Sequence, residues 1–429
     1  MIDDSKILIK SLVSNNKNNL NTKTFFGLKD SKVKKLKRTV KKKYTKIHDK
    51  IIINKNKDKK SITKIRNPGV DMVRILGMFA IVIHHILLHG QVLNKFRKYP
   101  ELNLLNISCY WHVSSFALIS GIVGYKTNKY SNLLYLWLCA LFYSIGIPYL
   151  TKIYRPQWVI NRKFSHDYFP VIFSKYWYFT EYFGMYLFLP AINKGISLLN
   201  ETELKLMVFS TLSIYIIWKD IKNPQGDVFR MDSGYSVLWL LIFYITGSYI
   251  GKYKVNNYNI IKKIFICFGC IFIFYYSTLL CYKLPKKNLY GINRYYKAFY
   301  LILKSLFIQR ISSVTMILQS ISITLFFLQI KYNKYIAKVI SFIGPLTFGV
   351  YLIHEHDIIR GKIIRELFNK YAGNLPLNLV IKLTIINGIK IFFICCAIDY
   401  LRHLAFTILR IRKICIFLEQ VAYKIFSVI

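Results

Sequence analysis

About ten stretches of predominantly apolar residues recur along the chain, near 70–90, 109–126, 131–150, 174–192, 204–218, 235–251, 261–282, 311–330, 338–358 and 379–401. This recurrence restricts the fold more than any other feature. A hydrocarbon core needs roughly twenty apolar residues for each helical crossing. Lipid offers the backbone no hydrogen bonds, so a crossing segment must satisfy its own, as a helix does. Composition agrees: 54% hydrophobic and 16% aromatic residues over 429 positions exceed the content of an ordinary soluble domain. The expected fold class is all-α and integral to the membrane, a bundle of about ten transmembrane helices preceded by a disordered basic N-terminal tail.

Residues 1–67 form that tail. They are rich in Lys and Asn, hold roughly a third of the 62 Lys and Arg residues, and contain no apolar run long enough to cross a bilayer. Clusters such as Lys34-Lys35-Leu36-Lys37-Arg38 and Lys41-Lys42-Lys43 fit a solvated cytoplasmic tail. They also fit attraction to an anionic lipid surface, worth about 1 kcal/mol per basic residue. A nucleic-acid arm is a further alternative, but the net charge of +43 is weak evidence for any specific partner, and no nucleic acid is expected. No compact apolar core with a small-residue cleavage site follows the first basic residues, which argues against a secretory signal. An even number of crossings puts both termini on one side, and the basic tail beside the first helix makes that side cytoplasmic. Residues 68–415 then form the transmembrane domain and 416–429 a short C-terminal tail.

The first apolar stretch carries the residues that most need an explanation. Arg74, His84, His85 and His89 lie between Val70 and Gly90, where hydrocarbon penalises charge by several kcal/mol unless the group has a partner, a watery cavity or a role. Arg74 and His85 are eleven residues apart, which on a helix is about 16 Å along the axis and nearly the same face. One helix thus presents a cation near one surface and an imidazole deep inside. His84 points about 100° away from His85, so His84 and His89 read as packing or cavity-lining groups. The eight cysteines lie mostly in or beside apolar segments without zinc-site spacing, and Cys267 and Cys270 lack a redox context, so all read as small hydrophobes. Walker, dinucleotide-binding and HExxH patterns are missing from the sequence, and no metal is expected.

Five elements, in order, extend this pattern. Arg74 and His85 form an Arg-x10-His pair. Trp111-His-Val-Ser-Ser-Phe-Ala-Leu-Ile-Ser-Gly121 follows, then Tyr176-Trp-Tyr-Phe-Thr-Glu-Tyr-Phe-Gly-Met-Tyr-Leu-Phe-Leu-Pro190. Tyr235-Ser-Val-Leu-Trp-Leu-Leu-Ile-Phe-Tyr-Ile-Thr-Gly-Ser-Tyr-Ile250 and Phe348-Gly-Val-Tyr-Leu-Ile-His-Glu355 complete the set, with Arg360, Asp399 and Arg402 beyond. In order and spacing the chain resembles the acyltransferase 3 membrane family, particularly its surface-polysaccharide O-acetyltransferase branch, from about 68 to 415. The resemblance implies transfer of an acyl group, usually acetyl from cytoplasmic acetyl-CoA as co-substrate, to a hydroxyl of a glycan or glycolipid acceptor. Many members carry a further soluble domain after the helices, whereas little follows residue 415 here.

Residue chemistry suggests roles. Acyl transfer from a thioester to an alcohol needs a group to take the hydroxyl proton, and an imidazole suits neutral pH. His85 is the catalytic candidate, either as general base or as a transient carrier of the acyl group. Arg74 is suited to hold coenzyme A phosphates, or else to a structural pair with Asp71 one turn earlier. His354 and Glu355 either end a helix at the aqueous boundary or line the cavity and bind substrate. Glu181, alone in an aromatic segment, is expected to face the interior and pair with Arg74 or Arg402 or bind sugar hydroxyls. Trp111 and Trp177 complete the substrate-binding candidates. Trp177, Tyr178, Tyr182, Tyr186 and Trp239 offer faces for sugar rings or form interfacial belts. Ser120-Gly121 permits close helix approach. The competing class is a polytopic transporter using intramembrane Arg, His and Glu as a proton or substrate path; it calls for internal symmetry, and the two halves share no convincing repeat.

Overall fold

The computed structural model describes residues 67–126, 129–218, 229–254, 260–283, 313–371 and 373–428. Among the described residues the chain is helical and contains no strand. Its helices of seven residues or more are α1 (Pro68–His89), α2 (Glu101–Ile107), α3 (His112–Gly124), α4 (Tyr130–Tyr154), α5 (Trp177–Leu198), α6 (Glu201–Leu212) and α7 (Val237–Tyr249). They continue with α8 (Ile260–Lys283), α9 (Val314–Gln329), α10 (Lys334–Ile343), α11 (Thr347–His354), α12 (Leu377–Ile408) and α13 (Ile411–Val428). The expected basic tail lies outside the described residues.

Among the described residues six stretches are long and apolar enough to cross a membrane: Pro68–His89, Glu101–Gly124, Tyr130–Tyr154, Ile261–Lys283, Lys334–His354 and Leu377–Ile408. Val237–Tyr253 and Val314–Gln329 are apolar but shorter. The two other expected segments are also helical, as α5 and α6, but mix charged residues such as Glu181, Lys194, Glu203 and Lys205 among the apolar ones. The structure therefore supports a multi-pass membrane protein, with six full-length apolar helices among the described residues.

α1 is the central element. Its start is well specified: the Asn67 side chain accepts a hydrogen bond from the Gly69 amide at 2.9 Å, Pro68 occupies the first turn and Asp71 meets the positive end of the helix dipole. The helix packs against α3, α9, α10, α11 and α12. Gly77 in its middle lies beside the rings of Trp111 and Phe116, and His84 near its end lies 5.8 Å from His112, ring centre to ring centre. α3 therefore runs antiparallel to α1, so Tyr125 and Lys126 after α3 fall at the Arg74 end.

The tightest packing joins α3 and α7, and small residues make it. A methyl placed on Gly121 would stand 2.0 Å from the carbonyl oxygen of Tyr244, and one on Gly247 1.9 Å from that of Leu118. Gly251 meets the Ile122 carbonyl oxygen in the same way at 2.5 Å. With no hydrophobic drive between helices in lipid, such backbone contact supplies the association. The expectation that Ser120-Gly121 permits close approach is met at Gly121. Because the obstructing atoms are backbone, Gly121→Ala or Gly247→Ala should destabilise the protein by about 1–3 kcal/mol or more. Gly146→Ala, whose new methyl meets nothing within 4 Å, should be close to neutral. Thermal unfolding of the purified variants in one detergent checks the contrast.

Candidate active site

His85, near the end of α1, meets the end of α11. His354 is fully buried, and Glu355 directly after it is 4% exposed. The ring atom Nδ1 of His85 lies 3.0 Å from Nε2 of His354 in hydrogen-bond geometry and 2.9 Å from Oε2 of Glu355. The other carboxylate oxygen of Glu355, Oε1, accepts a hydrogen bond from Arg360 Nη1 at 2.6 Å. His354 and Glu355 do end helix α11, but both are buried, so this helix end does not lie in water.

Hydrogen-bond chemistry assigns the protons. His354 Nδ1 lies 2.6 Å from the carbonyl oxygen of Val350 one turn earlier, and a carbonyl only accepts, so Nδ1 carries the hydrogen. A neutral His354 therefore presents a lone pair at Nε2. His85 Nδ1 must then donate to it, which leaves the lone pair of His85 on Nε2. The lone pair of His85 thus sits on the nitrogen opposite the one that faces His354 and Glu355.

His89 joins the cluster one turn beyond His85, its ring centre 5.0 Å away. Donor atoms of His85, His89 and Glu355 lie within 4.8 Å of one another, close enough to share a cation. His89 reads from the sequence as a packing or cavity-lining group, and its i, i+4 spacing from His85 puts both on one face. His84 is separate, as expected: its Nδ1 is 2.7 Å from Asn106 Oδ1, and its ring meets Tyr110 edge-on.

Around the cluster stand tyrosines that received less weight in the sequence. The Tyr351 ring centre is 6.5 Å from His354, 5.9 Å from Tyr176 and 6.5 Å from Tyr178. The hydroxyls of Tyr176 and Tyr178, and Nε2 of His356, are buried without a hydrogen-bond partner among the described residues. An unsatisfied buried polar group costs about 1–3 kcal/mol, and such groups beside a histidine–carboxylate cluster are suited to a substrate's hydroxyls.

The other candidates are distributed elsewhere. Arg74 is tied to Asp71, Nη1 to Oδ1 at 2.7 Å, at the opposite end of α1 from His85. Arg402 is bound by Asp399 through two contacts, Nε to Oδ1 at 2.6 Å and Nη2 to Oδ2 at 3.0 Å. The expected pairing of Glu181 with either arginine is therefore corrected: each arginine takes an aspartate three residues earlier on its own helix, which needs no approach of α5. Glu181 itself is only partly buried, beside the start of α7 at Val237. Trp111 is buried, its ring near Gly77 and its carbonyl accepting from Ser320 Oγ at 2.8 Å. Trp239 is fully buried and donates to Ser114 Oγ, whereas Trp177 packs on Tyr235 with ring centres 4.4 Å apart. The eight cysteines are all unpaired thiols.

A strap closes one side of the cluster. The connection 155–176 between α4 and α5 carries Arg162, whose guanidinium binds fully buried Asp167 at 2.7 and 3.0 Å and also Asp357 at 2.7 and 3.2 Å. Lys175 reaches Asp167 as well. Asp357 is two residues past Glu355, so these pairs fasten the connection to the edge of the site. Burial and then Arg162 lower the Lys175 ammonium to about 8. Burial alone would raise the Asp357 carboxyl, but the His356 and Arg162 hydrogen bonds hold it well below the usual carboxylate range.

A match to the family of acyltransferase domains named Acyl_transf_3 covers residues 67–400. The chain belongs to this family of membrane acyltransferases. No curated protein and no solved structure matches it. Within that class the strap makes a structural prediction. Arg162→Ala leaves the buried Asp167 with one cation fewer and should cost roughly 3–5 kcal/mol, whereas Asp357→Asn, at a carboxylate whose side chain is 49% exposed, should cost about 1 kcal/mol or less. A carboxyl depressed on folding contributes its stability above its unfolded value and loses it as pH falls through the folded value. The Asp357 contribution should thus be intact at neutral pH and fade only in acid, as thermal unfolding across pH will test.

Proposed function

We propose that this protein is a membrane-embedded O-acyltransferase that moves an acetyl group from acetyl-CoA to a hydroxyl of a glycan or glycolipid, in the manner of surface-polysaccharide O-acetyltransferases. The observation that carries the reading is the buried arrangement of His85 against His354 and Glu355, within a chain of the acyltransferase family. His85 Nε2 takes the proton of the acceptor hydroxyl as its oxygen attacks the thioester carbonyl. A C–O bond forms, the C–S bond breaks, and the thiolate of coenzyme A leaves and takes the proton back. Glu355 Oε2, 2.9 Å from His85 Nδ1, offsets the positive charge that His85 gains during attack. His354 fixes the ring's tautomer and is a positioning residue. The unpartnered hydroxyls of Tyr176 and Tyr178 and the face of Trp177 are suited to the acceptor sugar.

With about ten crossings and the basic tail in the cytoplasm, Arg74 lies at the cytoplasmic end of α1, the side from which acetyl-CoA arrives. Family membership favours transfer over the transporter reading. The test is label transfer from radiolabelled acetyl-CoA to a mixed glycan pool in membranes holding wild type, His85→Ala or His354→Ala. General-base loss should cut His85→Ala by about 10²–10⁴-fold. His354→Ala should lower kcat by a smaller factor while leaving KM nearly unchanged. Equal labelling by wild type and His85→Ala would remove His85 from catalysis, and no labelling beside persistent flux in sealed vesicles would favour transport.

A further inference from the structure

At the Arg74 end of the bundle, far from His85, a cavity of about 560 Å³ opens among the ends of α3, α5 and α7. Its lining includes Tyr125, Lys126, Asn193, Lys194, Ser197 and Lys252. Three lysines thus converge on one concavity, and no carboxylate is among its lining residues. The floor is ordered. Asn193 is 2% exposed, its Oδ1 accepts from the Tyr244 hydroxyl at 2.8 Å, and Lys252 Nζ donates to the carbonyls of Ile196 and Leu199, each at 2.8 Å, at the end of α5. Lys126 and Lys194 stand exposed at the rim. The ammonium of Lys252 is largely occupied by the helix end, which leaves Lys126 and Lys194 as the cations able to turn to a ligand.

Helix α5 connects this cavity to the histidine cluster. Tyr178, Tyr182 and Tyr186 follow at i+4 steps along one stripe, with neighbouring ring centres 6.4 and 5.8 Å apart. Asn193 and Ser197 continue the same stripe into the cavity. The fifteen residues from Tyr178 to Asn193 rise about 22 Å, a length comparable to an extended pantetheine arm. A ligand with phosphates at one end and a thioester at the other therefore matches both termini of this stripe.

We propose that the cavity holds a cluster of phosphates, with Lys126 and Lys194 as the residues that bind them. The proposal rests on the acyl-CoA reading above and supplies its donor with an anchor: the phosphates of the nucleotide end sit among the lysines while the thioester lies at His85. Phosphate binding by ammonium groups on a partly desolvated surface is charge-assisted and strong, so removal of both should act on donor affinity and leave the chemistry alone.

The test compares two donors on the purified full-length protein in nanodiscs of neutral phosphatidylcholine. Acetyl-CoA carries the phosphates, and acetyl-pantetheine carries the same thioester without them. The double variant Lys126→Gln/Lys194→Gln should raise KM for acetyl-CoA at least tenfold, leave kcat unchanged and leave transfer from acetyl-pantetheine unaltered. An unchanged KM for acetyl-CoA, or an equal fall with both donors, overturns the lysine site while the acyl-CoA reading stands. Wild type that transfers from neither donor overturns the acyl-CoA reading itself, and the anchor with it. A lysine effect that appears only when anionic phosphatidylglycerol is added identifies a lipid headgroup as the source of the phosphate and also overturns the proposal.

Discussion

Charge inside hydrocarbon must find a partner, and the interior of this protein is organised by how its buried carboxylates find theirs. Asp71 and Asp399 are fully buried, and each binds an arginine three residues later, Arg74 and Arg402. The i, i+3 spacing completes each pair within one helix, so the pair forms as the helix forms and is inserted already neutralised. Tyr143 donates to Asp399 at 2.8 Å and Tyr135 stands 3.3 Å from Arg402, which ties α4 to α12 through the same pair. Asp167 and Glu355 differ: the arginine of each is five residues away, and further partners, Lys175 and His85, come from other parts of the chain. Those two carboxylates sit at the strap and the histidine cluster, where partners are brought together by tertiary structure.

Glycines let the paired aspartates sit against neighbouring helices. A methyl on Gly344 would stand 2.8 Å from Asp71 Oδ1, and one on Gly349 1.9 Å from Asp399 Cγ. Both glycines belong to the stretch that runs from the end of α10 through α11, five residues before His354 in the second case. The backbone that delivers His354 and Glu355 is therefore pressed onto two neutralised aspartates, one on α1 and one on α12. The His85 cluster inherits its position from these contacts, since α1 carries His85 and the same α11 carries its partner. The dense α3–α7 seam works beside it, with Gly121 and Gly247 removing the side chains that would part the helices.

Much of this was legible in the sequence because hydrocarbon makes exceptions conspicuous. Arg74 and His85 stand out in an apolar run, and Gly121 follows a serine where a helix needs close approach. Other features depend on which helix meets which, a property that periodicity within a single helix does not carry. Glu181 was expected to pair with Arg74 or Arg402 or to bind sugar hydroxyls; the pairing is what fails, because both arginines have local aspartates that satisfy them. His89 was read as a packing or cavity-lining group, but its nearness to Glu355 of another helix was not readable from its one-turn spacing to His85. Arg162, Asp167 and Asp357 form the strap across long sequence separations, and only the fold discloses that pairing. The count of crossings was less legible for a similar reason: α5 and α6 mix charge with apolar residues, so length and apolarity alone do not mark them as full spans.

The hydrogen bonds of the cluster fix which nitrogen of each imidazole carries its proton. His354 is a relay in orientation only: its Nδ1 is committed to Val350 within its own helix, and its Nε2 to His85. A ring held at both nitrogens cannot flip without losing both bonds, each costly to leave unmade in a buried site. That rigidity passes to His85, whose Nδ1 faces His354 Nε2 and Glu355 Oε2 together. The Glu355 carboxylate thus stands beside the nitrogen of His85 that faces His354, and its place is fixed by the fold rather than by a ligand. Arg360 on Oε1 holds this carboxylate from its far side, so both of its oxygens are engaged and its orientation is fixed from two directions.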